Sequence, residues 1–189
     1  MRMFVGVAPP PAVLDELDAA SAPFRAARHE LRWTSREAWH ITLAFLGEVD
    51  EAAADRLIPR LERAAGRHGQ FTLAFAGAGA FPAADRARVL WCGLSGDRRS
   101  LGALATSVAA AARRAGATPP GDRRPFRPHL TLARCRMPAD VRDITAALSG
   151  FEGSPWTAGR IHLIHSRPGG QPRFETVGSW PLGAAVSRA

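Results

Sequence analysis

The feature that most constrains this chain is a short string, His-x-Thr-Leu, that occurs twice. One copy begins at His40 and the other at His129, 89 positions later in a chain of 189 residues. Both lie where apolar and polar residues alternate, as they do in a strand with one buried face. With six histidines in the chain, two such strings arise by chance on the order of once in a thousand sequences. The repeat therefore indicates two related halves, each with one copy.

Strand geometry predicts which side chains of each string share a face, because successive side chains point to opposite faces. The first string separates a polar from an apolar set: His40, Thr42 and Ala44 against Ile41, Leu43 and Phe45. The second string does the same: His129, Thr131 and Ala133 against Leu130 and Leu132. A single histidine on a strand is most often an ordinary surface or core residue, so the functional interpretation depends on the pair.

Paired histidines and threonines suit in-line displacement at phosphorus. One group must take a proton from the attacking oxygen, and another must give a proton to the leaving oxygen on the opposite side. Histidine performs either task near neutral pH, since its ordinary pKa is about 6.5. The pattern predicts that His40 and His129 flank a phosphate, while the hydroxyls of Thr42 and Thr131 bind its non-bridging oxygens. Such a reaction needs no metal ion or other cofactor.

Alternating strands and helices with short connections predict a mixed α+β fold. The expected strands cover 2–8, 39–46, 70–76, 88–93, 129–134, 156–166 and 173–180, with an extended piece at 31–34. The expected helices cover 51–67, 97–115 and 138–148, and a first helix opens at the prolines 9–11 and runs to about 29. Loops are expected at 77–86 and 116–128, where Gly, Pro and small residues are frequent.

Composition narrows the class of protein. The net charge is +8 and every basic side chain is arginine, so the surface favours polyanions, above all nucleic acid. Two distant cysteines, Cys92 and Cys135, exclude a disulfide framework and a four-thiolate zinc site. No apolar run approaches the roughly 20 residues of a membrane span, and the first residues are typical of a strand rather than a signal peptide. We expect a cytoplasmic monomer that does not bind membranes.

Longer segments around both strings resemble the 2H phosphoesterase superfamily. Within it they resemble the RNA 2′,3′-cyclic phosphodiesterases, also described as 2′-5′ RNA ligases. The resemblance covers nearly the whole chain and is carried by RWTSREAWHITLAFLGEVDE, GAFPAADRARVLWCGL, FRPHLTLARCR and LIHSRPGGQPRFETVGSWPL. Phe174 stands where relatives often carry Tyr, which removes a hydroxyl. Thr34 and Ser35 replace a more usual Val-Pro, and neither is expected to touch the motifs.

The resemblance implies a bilobal α+β fold, with two pseudo-symmetric antiparallel-sheet lobes, outer helices and a central cleft. Residues 1–189 would form a single bilobal catalytic domain with one motif per lobe, at 40–43 and 129–132. The implied reaction is metal-independent hydrolysis of RNA 2′,3′-cyclic phosphate ends to 2′-phosphomonoesters, with reversible 2′-5′ ligation as the same chemistry run backwards. The resemblance also implies that His40 is the proton donor and His129 the acceptor. The expected partner is RNA with cyclic phosphate ends, including tRNA fragments.

Four further side chains near the motifs are candidate substrate contacts. Arg127, two residues before His129, would bind the phosphate through its guanidinium. Phe45 is a candidate for stacking on a base, although alternation places it on the buried face. Alternation places Arg134 on the face opposite His129, which favours a position at the cleft rim. Ser166 would donate a hydrogen bond into the cleft.

Other residues are weaker candidates. Trp33 and Trp39 are expected to pack in the core rather than bind bases. His162 and His165, three residues apart on a strand, are expected to face opposite ways, which is a poor arrangement for a shared metal. The arginine pair at 123–124 is the best candidate for wider contact with RNA.

Three other functions stay open from the sequence. One is a phosphoesterase of the same superfamily that acts on a small cyclic nucleotide. The second is a non-catalytic RNA-binding module, which would leave two His-Thr pairs unexplained and would lack an aromatic recognition strand of the RRM type. The third is a histidine-ligated metalloenzyme, which would need a third clustered ligand that the sequence does not display.

Overall fold

The structure of this chain is a computed structural model that describes residues 1–118, 125–167, 169 and 172–183. The strands are β1 (Arg2–Val7), β2 (Arg32–Trp33), β3 (Ile41–Glu48), β4 (Phe71–Phe81), β5 (Ala87–Gly96), β6 (Leu130–Ala139), β7 (Trp156–Ala158), β8 (Arg160–Ser166) and β9 (Phe174–Pro181). The helices are α1 (Pro11–Ala27), α2 (Glu51–Gly66), α3 (Arg98–Ala115) and α4 (Arg142–Ala147).

The strands form two antiparallel sheets, which confirms the predicted α+β fold with two sheet lobes. The first sheet has the strand order β3-β1-β8-β9, and the second has the order β2-β6-β5-β4-β7. The first motif begins just before β3 and the second just before β6. Each sheet therefore carries one His-x-Thr-Leu string.

The lobes exchange elements along the chain, so neither is a continuous half of the sequence. Strands β8 and β9 return to the first sheet, whereas the early strand β2 pairs with β6 of the second. Helix α3, which follows a strand of the second sheet, packs against α2 and β3. Helix α1, which follows β1 of the first sheet, contacts α4, which follows β6 of the second sheet. Arg28 at the end of α1 donates to both carboxylate oxygens of Asp143 in α4 at 2.9 Å. This exchange ties the two lobes together.

A single apolar core runs through both lobes, and the helix ends follow from local sequence. Leu57 of α2 and Leu104 of α3 are fully buried. Asp50 caps α2 because its carboxylate accepts from the Ala53 amide at 2.7 Å, and Asp97 caps α3 in the same way. Such a cap satisfies an amide that has no partner within the helix. Gly116 ends α3 at a φ of 72°, a conformation that glycine adopts at little cost.

Three predicted elements differ from the structure. The predicted loop at 77–86 begins as strand, because a bulge between Phe75 and Ala78 lets β4 continue to Phe81. The predicted helix at 138–148 shortens to α4, since β6 continues to Ala139, which pairs with Ala87. The predicted strand at 156–166 is two strands, β7 and β8, which lie in different sheets.

No helix in the described part of the chain is both long enough and apolar enough to cross a membrane.

Candidate active site

The first motif lies beside a group of three phenylalanines. Thr42 pairs with Gly6 of β1, and His40 stands two residues earlier, so both side chains are on the same face of the first sheet. We call the face of each sheet that carries its motif histidine and threonine the cleft face. The ring of Phe4 is 5.8 Å from that of His40, and the ring of Phe174 is 6.0 Å from it. Phe45 lies 6.2 Å from Phe4. We call Phe4, Phe45 and Phe174 the aromatic group.

The prediction that Phe45 lies on the buried face is wrong. Gly6 of β1 pairs with Thr42, but its neighbour Val5 pairs with Ala44, so β3 has one extra residue at this point. Such a bulge reverses the alternation beyond it. Phe45 therefore returns to the face of Thr42, pairs with Phe4 and is 50% exposed. This exposure is what a base-stacking side chain requires.

The second motif has an aromatic surrounding of its own. The ring of His129 meets that of Phe81 edge-on at 5.1 Å and lies 6.3 Å from the ring of Trp91. Trp91 pairs with Thr131 on one side and with Gly79 on the other. A Cβ at Gly79 would lie 2.3 Å from the indole, so only glycine lets Trp91 lie flat beside the motif.

Arg134 also departs from the predicted alternation. Along β5, Leu90 pairs with Ala133 and the next residue, Trp91, pairs with Thr131, so β6 carries one extra residue at this point. The bulge turns exposed Arg134 to the face of Thr131. Burial is the main cause of the lowered pKa of His129, and the positive charge of Arg134 adds to it. The two motifs therefore share the same bulge. In each, the residue five positions after the histidine lies on the face of the threonine: Phe45 in the first motif and Arg134 in the second.

The remaining predicted contacts lie near one motif or the other. Arg127 is exposed, with its guanidinium carbon 5.8 Å from the centre of the Phe81 ring. Ser166 pairs with Phe174 at the end of β8, beside the aromatic group. Trp39 is buried and Trp33 half-buried, as predicted for packing residues. The arginine pair at 123–124 lies outside the described residues.

The hydrogen bonds of His129 decide which nitrogen is available for chemistry. Its Nδ1 lies 2.6 Å from the carbonyl oxygen of Arg127. A carbonyl oxygen only accepts, so Nδ1 carries the hydrogen and, in the neutral ring, Nε2 keeps a free lone pair. Burial lowers the pKa of His129, an effect that this hydrogen bond opposes and the charge of Arg134 reinforces. The neutral ring with a basic Nε2 is the form expected near neutral pH.

His40 is held differently. Within the described residues, its buried Nδ1 has no hydrogen-bond partner of normal geometry. Burial lowers the pKa of His40, the nearby Ala38 carbonyl raises it, and the charge of His162 lowers it. The net effect is a lowered pKa, so the free protein holds a proton on His40 less readily than an ordinary histidine does, and the Ala38 carbonyl opposes this only in part.

The two C-terminal histidines face opposite sides of β8, as predicted. His162 pairs with Gly6, on the cleft face, whereas His165 pairs with Met3, whose side chain is in the core. Among the described residues, no three His, Cys, Asp or Glu side chains are grouped so that they hold a metal ion together.

Thr34 links the two motif regions, contrary to the prediction that it does not touch them. Its amide donates to the Leu132 carbonyl at 2.9 Å, and its hydroxyl donates to the Thr131 carbonyl at 2.7 Å. The same hydroxyl accepts from the indole Nε1 of Trp39 at 3.0 Å. Because Trp39 immediately precedes His40, this threonine connects the backbone of one motif to the start of the other. A hydroxyl where relatives often have valine was the sequence signal for this role.

Replacing Thr34 with valine should lower the free energy of unfolding by about 1–3 kcal/mol, because the buried indole N–H of Trp39 loses its acceptor. Urea denaturation of the two proteins measures the change. Ser35→Ala is the matched control, since the Ser35 side chain is exposed and makes no capping hydrogen bond. Equal stabilities of Thr34→Val and the wild type would show that the link contributes nothing.

Known proteins share both sequence and fold with this chain. The sequence model of the 2′-5′ RNA ligase superfamily matches residues 9–170. The RNA 2′,3′-cyclic phosphodiesterase of Escherichia coli K12 is 34% identical over 146 residues, which cover 76% of this chain and 75% of that protein. The protein of the same name from Geobacillus stearothermophilus is 32% identical over 170 residues, which cover 87% of this chain. The chain spans only about half of that relative, 50% of its length.

A solved structure agrees with the sequence matches. The crystal structure of a Thermus thermophilus protein superposes with a TM-score of 0.78 at 26% identity. The superposition covers 98% of this chain and 100% of the other. By both sequence and fold, the chain belongs to the 2′-5′ RNA ligase superfamily.

Proposed function

We propose that this chain is a single catalytic domain that hydrolyses RNA 2′,3′-cyclic phosphate ends to 2′-phosphomonoesters. His40 is the proton donor and His129 the proton acceptor. The observation that carries the proposal is the matched pair of motifs, each with a histidine and a threonine on the cleft face of its own sheet. The names of the Escherichia coli and Geobacillus relatives support the same substrate.

The reaction is one in-line displacement. A water molecule attacks phosphorus while Nε2 of His129 takes its proton. The bond from phosphorus to O3′ breaks on the opposite side, and O3′ takes a proton from His40. The products are a 3′-hydroxyl and a 2′-phosphate, and solvent returns both histidines to their starting forms. Two histidines account for both proton transfers, so the proposal includes no metal ion.

The charge that develops on phosphorus needs donors on both sides of the cleft. The hydroxyls of Thr42 and Thr131 each donate to a non-bridging oxygen, and both side chains are half-buried and next to a motif histidine. Arg127 and Arg134 bring positive charge to the second motif only. Donors in place before the reaction stabilise the transition state without reorganisation.

The aromatic group is the proposed platform for the terminal base. Phe45 is half-exposed and meets Phe4, which fixes the orientation of its ring. Phe174 closes the other side of the His40 ring. Stacking tolerates any base, because every base has a π-face. The enzyme is then expected to accept RNA ends of different sequence.

In the reverse reaction, the same groups would join the 5′-hydroxyl of one RNA to the cyclic phosphate of another and so form a 2′-5′ linkage. We further propose a monomer that acts in the cytoplasm on RNA ends such as those of tRNA fragments. Its two free cysteines suit that reducing compartment.

The proposed function is tested with a short RNA that ends in a 2′,3′-cyclic phosphate, incubated with and without EDTA. We expect a 2′-phosphate product at equal rates under both conditions. A 3′-phosphate product would contradict the assigned leaving group. Loss of activity in EDTA would favour a metalloenzyme, and RNA binding without turnover would favour a binding module.

Thr42→Val and Thr131→Val should each raise the barrier of the chemical step by about 1.5–3 kcal/mol, because each removes one hydrogen bond to a charged oxygen. Steady-state kinetics on a cyclic-ended RNA measure the loss. Thr145→Val on α4 is the matched control, since the Thr145 hydroxyl only donates to the Arg142 carbonyl within the helix region. Full activity in the Thr42→Val, Thr131→Val double variant would refute the role of these hydroxyls.

The pH dependence of kcat/KM follows from the two histidines. Activity falls at low pH as His129 becomes protonated and at high pH as His40 loses its proton, so the optimum lies between the two pKa values. Burial lowers the pKa of both His40 and His129. The optimum of kcat/KM is therefore expected below about pH 6.5, the ordinary histidine value. The optimum of kcat should lie higher, because the bound phosphate anion raises both pKa values. A kcat/KM optimum above about pH 7.5 would contradict this assignment.

A further inference from the structure

A cavity at the end of β1 has no role in the reaction described above. Its volume is about 450 Å³, within the range of roughly 300–1,000 Å³ that small-molecule sites occupy. Its lining comes from both lobes: Ala8, Arg160 and His162 from the first sheet and its ends, and Gln70 and Thr157 from the second.

His162 lines this cavity and lies on the same face of the first sheet as the first motif. Gly6 pairs with Thr42 on one side and with His162 on the other, so these residues form a row on the cleft face. A Cβ at Gly6 would lie 3.6 Å from the Cβ of His40, which therefore leans over the glycine. Burial is the main cause of the lowered pKa of His40, and the charge of His162 lowers it further. The cavity is thus a continuation of the cleft.

The cavity and the aromatic group lie at opposite ends of the phosphate position. Along β1, Phe4 packs in the aromatic group, Gly6 lies opposite Thr42, and Ala8 follows at the cavity. At about 3.3 Å per residue, Phe4 and Ala8 are roughly 13 Å apart. In a ribonucleotide, the cyclic phosphate bridges C2′ and C3′. The base is attached at C1′, next to C2′, and the 5′ carbon at C4′, next to C3′, so the two lie on opposite sides of the phosphate. A base on the aromatic group therefore directs the 5′ side of the nucleotide toward the cavity.

The charge of the cavity suits a phosphate. Arg160 lies two residues from His162 on the same face of β8 and is exposed. Within the described residues, no carboxylate lies within 4.0 Å of its guanidinium, which makes one long hydrogen bond to Ser179 at 3.3 Å. The cavity lining has no Asp or Glu. A guanidinium without a carboxylate partner is free to make the strong paired bonds that it forms with phosphate.

We propose that this cavity is a subsite for the 5′-phosphodiester of the terminal nucleotide, which Arg160 binds while His162 and Gln70 flank it. The inference rests on the proposed function and adds the site that would recognise the RNA chain on the 5′ side of its terminal nucleotide.

Three substrates test the subsite: 2′,3′-cyclic AMP, the same compound with a 5′-phosphate, and an adenosine dinucleotide with a cyclic phosphate end. For the wild type, the 5′-phosphate should raise kcat/KM about 10-fold or more, the usual effect of a charged hydrogen bond. The dinucleotide should show at least the same gain. In Arg160→Ala most of this gain should disappear, and Arg160→Lys should restore part of it.

Arg113→Ala is the matched control, because Arg113 is exposed on α3, outside the cleft, and should keep the full gain. Equal kcat/KM for the first two substrates in the wild type would overturn the subsite, as would an undiminished gain in Arg160→Ala. A gain that needs the whole dinucleotide would mean that the cavity binds the next nucleoside and not the phosphate. Turnover of none of the three would overturn the proposed function itself.

Discussion

His40→Ala and His129→Ala should each lower kcat on cyclic-ended RNA by roughly 100-fold or more, the usual contribution of a positioned general acid or base. Each histidine lies on the same sheet face as its motif threonine, so we expect its removal to leave the core intact. We expect circular dichroism spectra and melting temperatures close to those of the wild type. His29→Ala is the matched control, because His29 is exposed beyond α1.

Two outcomes would contradict these roles. A single variant that loses activity because it unfolds would show that its histidine is structural. A variant that folds and keeps more than about a tenth of wild-type kcat would show that the histidine transfers no proton in the rate-limiting step.

The second large effect is a difference between the two histidine variants on an artificial substrate. A ribose oxygen leaves poorly unless it is protonated, so His40→Ala should be severely impaired on RNA. The nitrophenolate of a nitrophenyl phosphodiester leaves without being protonated. On that substrate, His40→Ala should therefore regain most of its activity relative to the wild type. His129→Ala should stay impaired on both substrates, since water must be activated in either case.

The comparison requires that the wild type hydrolyse the nitrophenyl diester in the same cleft with chemistry as the slow step. Competition between the diester and the cyclic-ended RNA checks the first condition. Rescue of His129→Ala and not of His40→Ala would reverse the two roles. Rescue of neither variant would mean that proton donation to the leaving group is not the main contribution of either histidine.

The sequence predicted the part of the site that depends on short-range periodicity. His40 and Thr42 are two residues apart, and so are His129 and Thr131, so alternation alone places each pair on one face. The same rule failed beyond each threonine. Ala44 and Ala133, predicted on the face of the histidines, pair with the buried Val5 and Leu90, and Phe45 and Arg134 lie on the opposite face to the one predicted. A bulge depends on the partner strand as well as on local sequence, and the Thr-Leu-Ala string at both bulges carries no glycine or proline to announce it.

The fold class followed from the order of elements and the resemblance, whereas the exchange of elements between lobes did not. The boundary between β7 and β8 is a single residue, Gly159, and nothing in the alternation of 156–166 separates strands of two different sheets. The hydrogen bonds of Thr34 join residues almost 100 positions apart. Such contacts depend on tertiary packing, which local patterns do not encode.

The central claim is that two histidines on opposite walls of one cleft act on a single phosphorus in one displacement. Hydrolysis of one diastereomer of a nucleoside 2′,3′-cyclic phosphorothioate in oxygen-18 water measures this directly, because the product phosphorus is chiral. The account predicts inversion of configuration, since water enters opposite the leaving O3′. Retention would require two displacements through a covalent enzyme intermediate and would contradict it.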